Sequence, residues 1–298
     1  MRIAFASGKG GTGKTTLATN FAALLAARGV AVRLLDADVE EPDCHLFLDP
    51  QLERTDPVNV LIPEVDEAAC TGCGVCAEVC AFKAITVIGT TVLVFPELCH
   101  SCGACSLLCP EKAITEVGRE TGRVEHATVR LDGRRPFSLV TGVLTVGEAK
   151  PVPTTRATMA AAEGEADIIL VDAPPGTSCP VIEAVRHSDL VVLVTEPTPF
   201  GLHDLRLAVE MVRALSLPCV VAVNRSDLGD DRVRRFCAEE GIEIVLELPN
   251  DRRIAEAYAR GELLIDVVDG LERTLAAAWE RIVSAAAVPS QRPGRAAS

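Results

Sequence analysis

The sequence predicts an α/β chain: a doubly wound, mostly parallel sheet interrupted by a small cysteine-rich α+β insert. Three observations carry this reading. A short apolar segment, Ile3 to Ala6, runs into a glycine-rich loop at Gly8–Thr16 and then into an apolar-periodic stretch with Leu17, Phe21, Leu24 and Leu25. That is the order strand, loop, helix. Further apolar runs end in Asp36, Asp172 and Asn224 and alternate with helical patterns, as in a sheet built from βαβ units. Between Cys70 and Cys109 the composition changes abruptly, and eight of the twelve cysteines fall there.

Composition bounds what such a chain does. With 298 residues, 48% of them apolar, it can bury the core of one large domain or two. A net charge of −13 argues against nonspecific nucleic-acid binding and against anionic membranes, since both need basic surface. The opening Met1–Gly8 is too short in apolar residues for a signal peptide, and no apolar run approaches bilayer-spanning length. A cytoplasmic location without stable membrane insertion is therefore expected. In that compartment twelve cysteines point to metal or redox chemistry rather than to disulfides.

The run Gly-Lys-Gly-Gly-Thr-Gly-Lys-Thr-Thr satisfies G-x-x-x-x-G-K-[ST] through Gly8, Gly13, Lys14 and Thr15, in the context this motif needs. Its glycines let the amides of Gly10, Gly11, Thr12 and Gly13 turn around phosphates. The start of the following helix (Lys14, Thr15, Thr16) adds its positive end. Lys14 can reach the β and γ phosphates and the Thr15 hydroxyl can bind Mg²⁺, so ATP and Mg²⁺ are the expected cofactors. An ordinary phosphate loop does not need Lys9. With it, the run resembles the deviant Walker A motif of the MinD/ParA family, whose relatives include the nitrogenase iron protein. The resemblance implies a P-loop ATPase, an ATP-dependent homodimer, and a catalytic Lys9 that reaches the nucleotide of the other subunit.

After the first helix Gly29 supplies a stop, and Val30 to Leu35 read as a buried strand ending in Asp36-Ala37-Asp38. Carboxylates at the C-terminal end of a parallel strand sit where Mg²⁺ and phosphate chemistry occurs. In the family resembled this is switch I, which makes Asp38 the catalytic, water-orienting residue and gives Asp36 a supporting role.

The cysteines of the insert follow C-x₂-C-x₂-C-x₃-C twice, as Cys70, Cys73, Cys76, Cys80 and as Cys99, Cys102, Cys105, Cys109. The copies end alike, in Lys83-Ala84-Ile85-Thr86 and Lys112-Ala113-Ile114-Thr115. This internal repeat matches the spacing of bacterial two-cluster ferredoxins. By that resemblance one [4Fe–4S] cluster takes Cys70, Cys73, Cys76 and Cys109, and the other takes Cys99, Cys102, Cys105 and Cys80. Four-cysteine zinc sites use paired C-x₂-C knuckles instead. The first copy departs from the usual form with Ala81 where proline follows the fourth cysteine, as Pro110 does in the second. The insert, taken as residues 63–118, carries seven acidic residues against two lysines, which favours low reduction potentials. It divides the ATPase-like part into 1–62 and 119–288. Residues 289–298 read as a disordered tail.

From Arg119 to about Lys150 the alternation suggests a β-rich return to the main sheet. Ile168 to Val171 then form a strand ending in Asp172, a Walker B acid for Mg²⁺, with Pro174-Pro175-Gly176 resembling switch II. Leu190 to Val194 make another strand, followed by the rigid loop Glu196-Pro197-Thr198-Pro199 and a helix with Leu205, Ala208, Val209, Val212 and Leu215 on one face. Cys219 to Val223 lead to Asn224, which resembles the base-contacting Asn of the family. Pro249 and Asp251 fall where that family packs backbone against adenine.

Cys219 and Cys237 read as small core apolars, and Cys44 and Cys179 as packing or switch-geometry residues. Cys179 follows Asp172 by seven residues, as a cluster cysteine does in the nitrogenase iron protein, but the second cysteine of that site has no obvious counterpart here. The C-terminal helix (Leu271, Leu275, Trp279, Ile282, Val283) lacks a basic polar face and reads as a docking helix rather than a membrane-targeting tail.

Three function classes fit these motifs. One is an ATPase that couples nucleotide-dependent dimerisation to low-potential electron transfer with a partner protein. Another is a cluster-assembly carrier of the Mrp type handing clusters to an acceptor, although the C-terminal C-x-x-C of that type is absent. The third is a spatial organiser like MinD or ParA with the ferredoxin part as a sensor.

Overall fold

The strands, in chain order, are β1 (Arg2–Ala6), β2 (Val32–Asp36), β3 (Gln51–Val65), β4 (Ile85–Ile88), β5 (Thr91–Val94), β6 (Ile114–Val129), β7 (Phe137–Leu144), β8 (Ile168–Asp172), β9 (Leu190–Thr195), β10 (Cys219–Val223) and β11 (Ile244–Glu247). The helices are α1 (Lys14–Ala27), α2 (His45–Leu48), α3 (Val75–Val79), α4 (Ala104–Leu107), α5 (Val152–Ala160), α6 (Cys179–Val185), α7 (Pro199–Ala214), α8 (Arg232–Glu239), α9 (Arg252–Ala259), α10 (Leu264–Val267) and α11 (Leu271–Ala286). The computed structural model describes residues 1–162 and 166–287; the expected tail at 289–298 lies outside the described residues.

Among the described residues, nine strands form one sheet in the order β11-β10-β9-β1-β8-β2-β7-β6-β3. The seven from β11 to β7 run parallel, and β6 and β3 follow antiparallel. The sheet is doubly wound, as expected. Successive side chains of each central strand enter opposite cores. Ile3 and Phe5 of β1 pack with α1 and α11, whereas Ala4 and Ala6 pack on the side of α6 and α7. The helix α1 is buried on nearly every side, and α7 buries Leu205, Ala208, Val209 and Val212, the face its periodicity predicts. The apolar face of α11 packs inward, with Trp279 5.8 Å from Phe21 between ring centres, as a docking helix requires. No helix among the described residues is long and apolar enough to cross a membrane.

The strand expected from Val30 begins at Val32 because α1 ends in a Schellman-type cap. Gly29 takes φ 77°, its amide donates to Ala26, and the Val30 amide reaches back to the Leu25 carbonyl at 3.1 Å.

The return segment after the insert is β6, paired with β3 from Ile114↔Val65 to Thr128↔Gln51. Only residues 122–129 of β6 also pair with β7, with Gly122 opposite Leu144. The remainder of β6, with its partner residues in β3, continues beyond the C-terminal end of β7 as a two-stranded ribbon. Eight residues at about 3.3 Å each make this ribbon roughly 26 Å long. Pro63 and Gly118, the expected limits of the insert, lie inside its strands. The prolines Pro57 and Pro63 are tolerated because β3 is the sheet's edge. The cysteine-rich segment sits at the tip of this ribbon. It therefore projects from the edge of the sheet at which the parallel strands end.

Candidate functional site

That edge collects the sequence-predicted nucleotide residues. The loop after β1 places Gly11 and Gly13 at φ 73° and 100°, left-handed conformations that only glycine adopts without strain. A Cβ at Gly8 would lie 2.4 Å from the carbonyl oxygen of Asp204 in α7, so glycine there sets the loop's approach to that helix. A Cβ at Gly10 or Gly11 would meet nothing within 4 Å, so the loop is open on that side. Lys14 is buried at the start of α1, with Thr15 and Thr16 beside it.

Asp36 and Asp172 are register partners on adjacent parallel strands, so both carboxylates end at one level. Both are buried, and burial followed by their mutual repulsion drives the Asp36 carboxyl well above the usual range. Asp172 reaches about 6, raised by burial and held back by Lys14 and by a hydrogen bond from Thr15. Asp38, further out, is pushed up to about 7 by burial and by Asp172, with Lys14 opposing. Cys44 closes the group. Its amide donates to Asp36 at 2.9 Å and its thiol lies 3.7 Å from Asp172 Oδ2. The Oδ1 atoms of Asp36 and Asp172 are buried without a hydrogen-bond partner. Hard carboxylate oxygens left without donors, next to a threonine hydroxyl, are a donor set that fits Mg²⁺.

These shifts predict a stability effect. A carboxyl whose folded pKa lies above its unfolded value stabilises fully below the unfolded pKa, and that contribution is lost as pH rises through the folded one. For Asp38 the window runs from 3.8 to about 7. For Asp36, Asn would keep the oxygen that accepts from Cys44 while removing the charge beside Asp172. Asp36→Asn is expected to raise the Tm of the nucleotide-free chain at pH 8 by at least about 2 °C, with the gain shrinking toward pH 5. Thermal unfolding followed by Trp279, the single tryptophan, measures it; a lower Tm at pH 8 contradicts it.

Lys9 is engaged by Glu196. Its Nζ sits 2.9 Å from Glu196 Oε2, and Arg225 reaches Glu196 Oε1 at 2.6 Å. Asn224 donates through Nδ2 to the Thr12 carbonyl at 2.9 Å, so here it braces the phosphate loop. The loop with Pro249 and Asp251 lies beside it: Ser226 donates to Leu248, and the Asn250 amide to Asp227. Pro249 is exposed, and Asp251 caps α9 by accepting from the Arg253 amide at 2.8 Å.

At the ribbon's tip the eight cysteines form two groups. Cys70, Cys73, Cys76 and Cys109 line one cavity, and Cys80, Cys99, Cys102 and Cys105 line a second. The sequence repeat is also a structural one. Lys83 and Lys112 both take positive φ, 56° and 53°, and turn the Ala84 and Ala113 amides onto Cys80 Sγ and Cys109 Sγ at 3.2 and 3.3 Å. Burial raises the Cys80 thiol, but the amides of Ala84, Phe82, Ile85 and Lys83 outweigh it, and its pKa falls below the usual value. Amide donors aimed at sulfur suit the thiolates of an iron–sulfur cluster, whose potential such hydrogen bonds help set. Four thiols per cavity fit one cubane each.

Residues 3–265 match the CobQ/CobB/MinD/ParA nucleotide binding domain. The chain belongs to this family. A relative in Methanocaldococcus jannaschii, the uncharacterized protein MJ0578, is 30% identical over 287 residues, covering 95% of this chain and 96% of that one. The iron-sulfur cluster carrier protein of Aquifex aeolicus is 24% identical over 280 residues, which are 88% of this chain and 61% of the carrier. Among solved structures, the Pyrococcus horikoshii septum site-determining protein MinD with Mg-ADP superposes with a TM-score of 0.56 at 17% identity, covering 98% of this chain and 99% of that one. The Aquifex aeolicus MinC:MinD complex gives 0.57 at 19%, with the same coverage. These two establish the likeness of fold.

In this family member, three features escaped the sequence. Glu196 directly follows the apolar strand β9, much as Asp36 and Asp172 end theirs, and that signal could have found it. The thiol of Cys44 against Asp172 and the ammonium of Lys150 against the insert, 2.6 Å from the Cys99 carbonyl, had no local signal. Cys237 is buried and Cys219 partly so, as core apolars should be, whereas Cys179 is exposed at the start of α6.

Proposed function

We propose that this chain is a Mg²⁺-dependent ATPase that carries two [4Fe–4S] clusters and couples nucleotide-dependent dimerisation to low-potential electron transfer with a partner protein. The observation that carries the reading is positional: two closed cysteine quartets stand on a ribbon rooted at the nucleotide edge. Lys14 and the amides of Gly10–Thr16 hold the phosphates, with Asn224, Pro249 and Asp251 toward the base. Thr15 and Asp172 hold Mg²⁺, which supplies charge neutralisation at the phosphates. Asp38 orients the attacking water, taking up its proton near the pH at which the carboxyl itself titrates. Lys9 leaves Glu196 and supplies positive charge to the other subunit's nucleotide, while Arg225 remains as the counter-ion of Glu196. The quartets hold their clusters with four thiolates each, and the clusters supply one-electron chemistry.

A second reading, cluster delivery to an apo-acceptor, is favoured by the relatives named iron-sulfur cluster carriers. Anaerobic protein separates the two. Clusters that resist mild chelation and cycle between redox states support electron transfer, whereas ATP-stimulated transfer to an apo-protein supports delivery. Binding to membranes or DNA with indifferent clusters would favour an organiser.

A further inference from the structure

The segment Thr145–Lys150, between β7 and α5, touches the nucleotide edge at one end and the second quartet at the other. Just before it, the Leu144 amide donates to the carbonyl of Val39 at 2.8 Å, the residue that follows Asp38. Contact there is tight: a Cβ on Gly142 would lie 2.5 Å from Cγ1 of Val39. Next, the Thr145 amide donates to Thr121 of the ribbon at 3.0 Å. Glu148, its side chain 3% exposed, pairs with Arg119 of the ribbon at 2.5 Å and accepts from the Lys150 amide at 3.0 Å. Lys150 then reaches the carbonyl of Cys99 at 2.6 Å, across 51 residues of sequence.

The first two links are backbone to backbone, and the last two run through the side chains of Glu148 and Lys150. A lysine side chain loses much rotamer freedom when pinned, so a surface lysine does not hold a loop carbonyl unless its own backbone is fixed. Here the buried Glu148–Arg119 pair fixes it. The contact is also one-sided, because Cys99 belongs to the quartet with Cys80, Cys102 and Cys105.

We infer that Thr145–Lys150 is a strap through which the nucleotide state of the Asp38–Val39 segment sets the position of the Cys99 loop, with Lys150 as the positioning residue of the second quartet. The inference rests on the reading of the quartets as resident cluster sites under nucleotide control. A displacement of Val39 on binding the γ-phosphate passes through Leu144 to the strap, since packed elements shift together rather than deform continuously. The strap moves a positive charge relative to one cluster site, and charge and hydrogen bonds near a cluster set its potential.

The test uses the full-length, cluster-loaded chain, with ADP and with a non-hydrolysable ATP analogue. Hydrogen–deuterium exchange at residues 100–103 is expected to differ at least about fivefold between the nucleotides, as couplings of ordinary size produce. The loop at residues 71–74 should stay unchanged. Redox titration should show one of the two cluster potentials shifting with nucleotide. In Lys150→Met the exchange response should fall to under about twofold, with nucleotide affinity and iron content unchanged, and Lys150→Arg should restore it. Glu148→Gln, which leaves the cysteine loop untouched, should give the same loss even if Lys150→Met disturbs cluster assembly. If both variants respond as wild type does, the strap is refuted and nucleotide control runs by another route. If wild-type exchange and potentials ignore nucleotide, both the strap and nucleotide control fall.

Discussion

Lys9→Ala is expected to bind ATP almost as wild type does, to remain monomeric, and to lose hydrolysis by about 10³-fold or more, the scale of a cation supplied in trans to a transferring phosphoryl group. The two lysines of the loop occupy different places. Lys14 is buried beside Asp38 and Asp172, whereas Lys9 is half-exposed and held on Glu196. Removing Lys14 should therefore weaken ATP binding itself, by roughly 10–100-fold for a lost charge-assisted contact. Removing Lys9 should leave the single-chain site intact and affect only what two chains build. Asp38→Ala should dimerise with ATP and then stall, accumulating the dimer. Light scattering with and without ATP, alongside phosphate release, distinguishes the three. A Lys9→Ala protein that dimerises and turns over normally removes the shared-site reading.

The contact that parks Lys9 adds a subsidiary expectation. Glu196 is buried and serves two cations, Lys9 and Arg225. Glu196→Gln loosens both without changing shape, so the ATP concentration needed for dimerisation should fall. If it rises, the contact supports the loop rather than restraining Lys9.

The central sheet was legible because buried parallel strands are apolar runs, and their polar ends can only point into the crevice where such strands finish. Asp36, Asp172 and Asn224 were found that way. The ribbon was not legible. β3 contains Arg54, Asp56, Pro57 and Pro63, residues that disfavour a strand locally, and it is a strand because β6, some sixty residues on, covers one of its edges. Pairing at that separation leaves no periodic signature. The same limit hid the partners of Lys9 and Lys150, which meet Glu196 and Cys99 across 187 and 51 residues. The cysteine groups escaped this limit. Their repeat is local, and Lys83 and Lys112 adopt the same backbone turn in both copies because the sequences around them agree.

The largest compositional effect is expected at those cysteines. Anaerobically prepared protein should carry about eight irons per chain, four for each quartet of thiolates. Cys102→Ala should reduce this to about four and leave ATP binding in place, because Cys102 lies beyond the ribbon from the phosphate loop. The sharper test exploits the crossing of the two repeats. Cys80 stands in the first repeat but lines the cavity of Cys99, Cys102 and Cys105, while Cys109 stands in the second and lines the cavity of Cys70, Cys73 and Cys76. The double variant Cys80→Ala, Cys102→Ala should thus lose no more iron than Cys102→Ala alone, since both changes fall on one quartet. Cys102→Ala with Cys109→Ala should lose nearly all of it, although both positions belong to the same sequence repeat. If iron instead follows the repeats, so that the Cys102, Cys109 pair keeps half and the Cys80, Cys102 pair keeps none, the ligand sets are not interleaved. Zinc as the main metal in the wild-type protein would end the cluster reading altogether. The coupling of nucleotide to those sites would then have to be sought in metal-held structure rather than in redox chemistry.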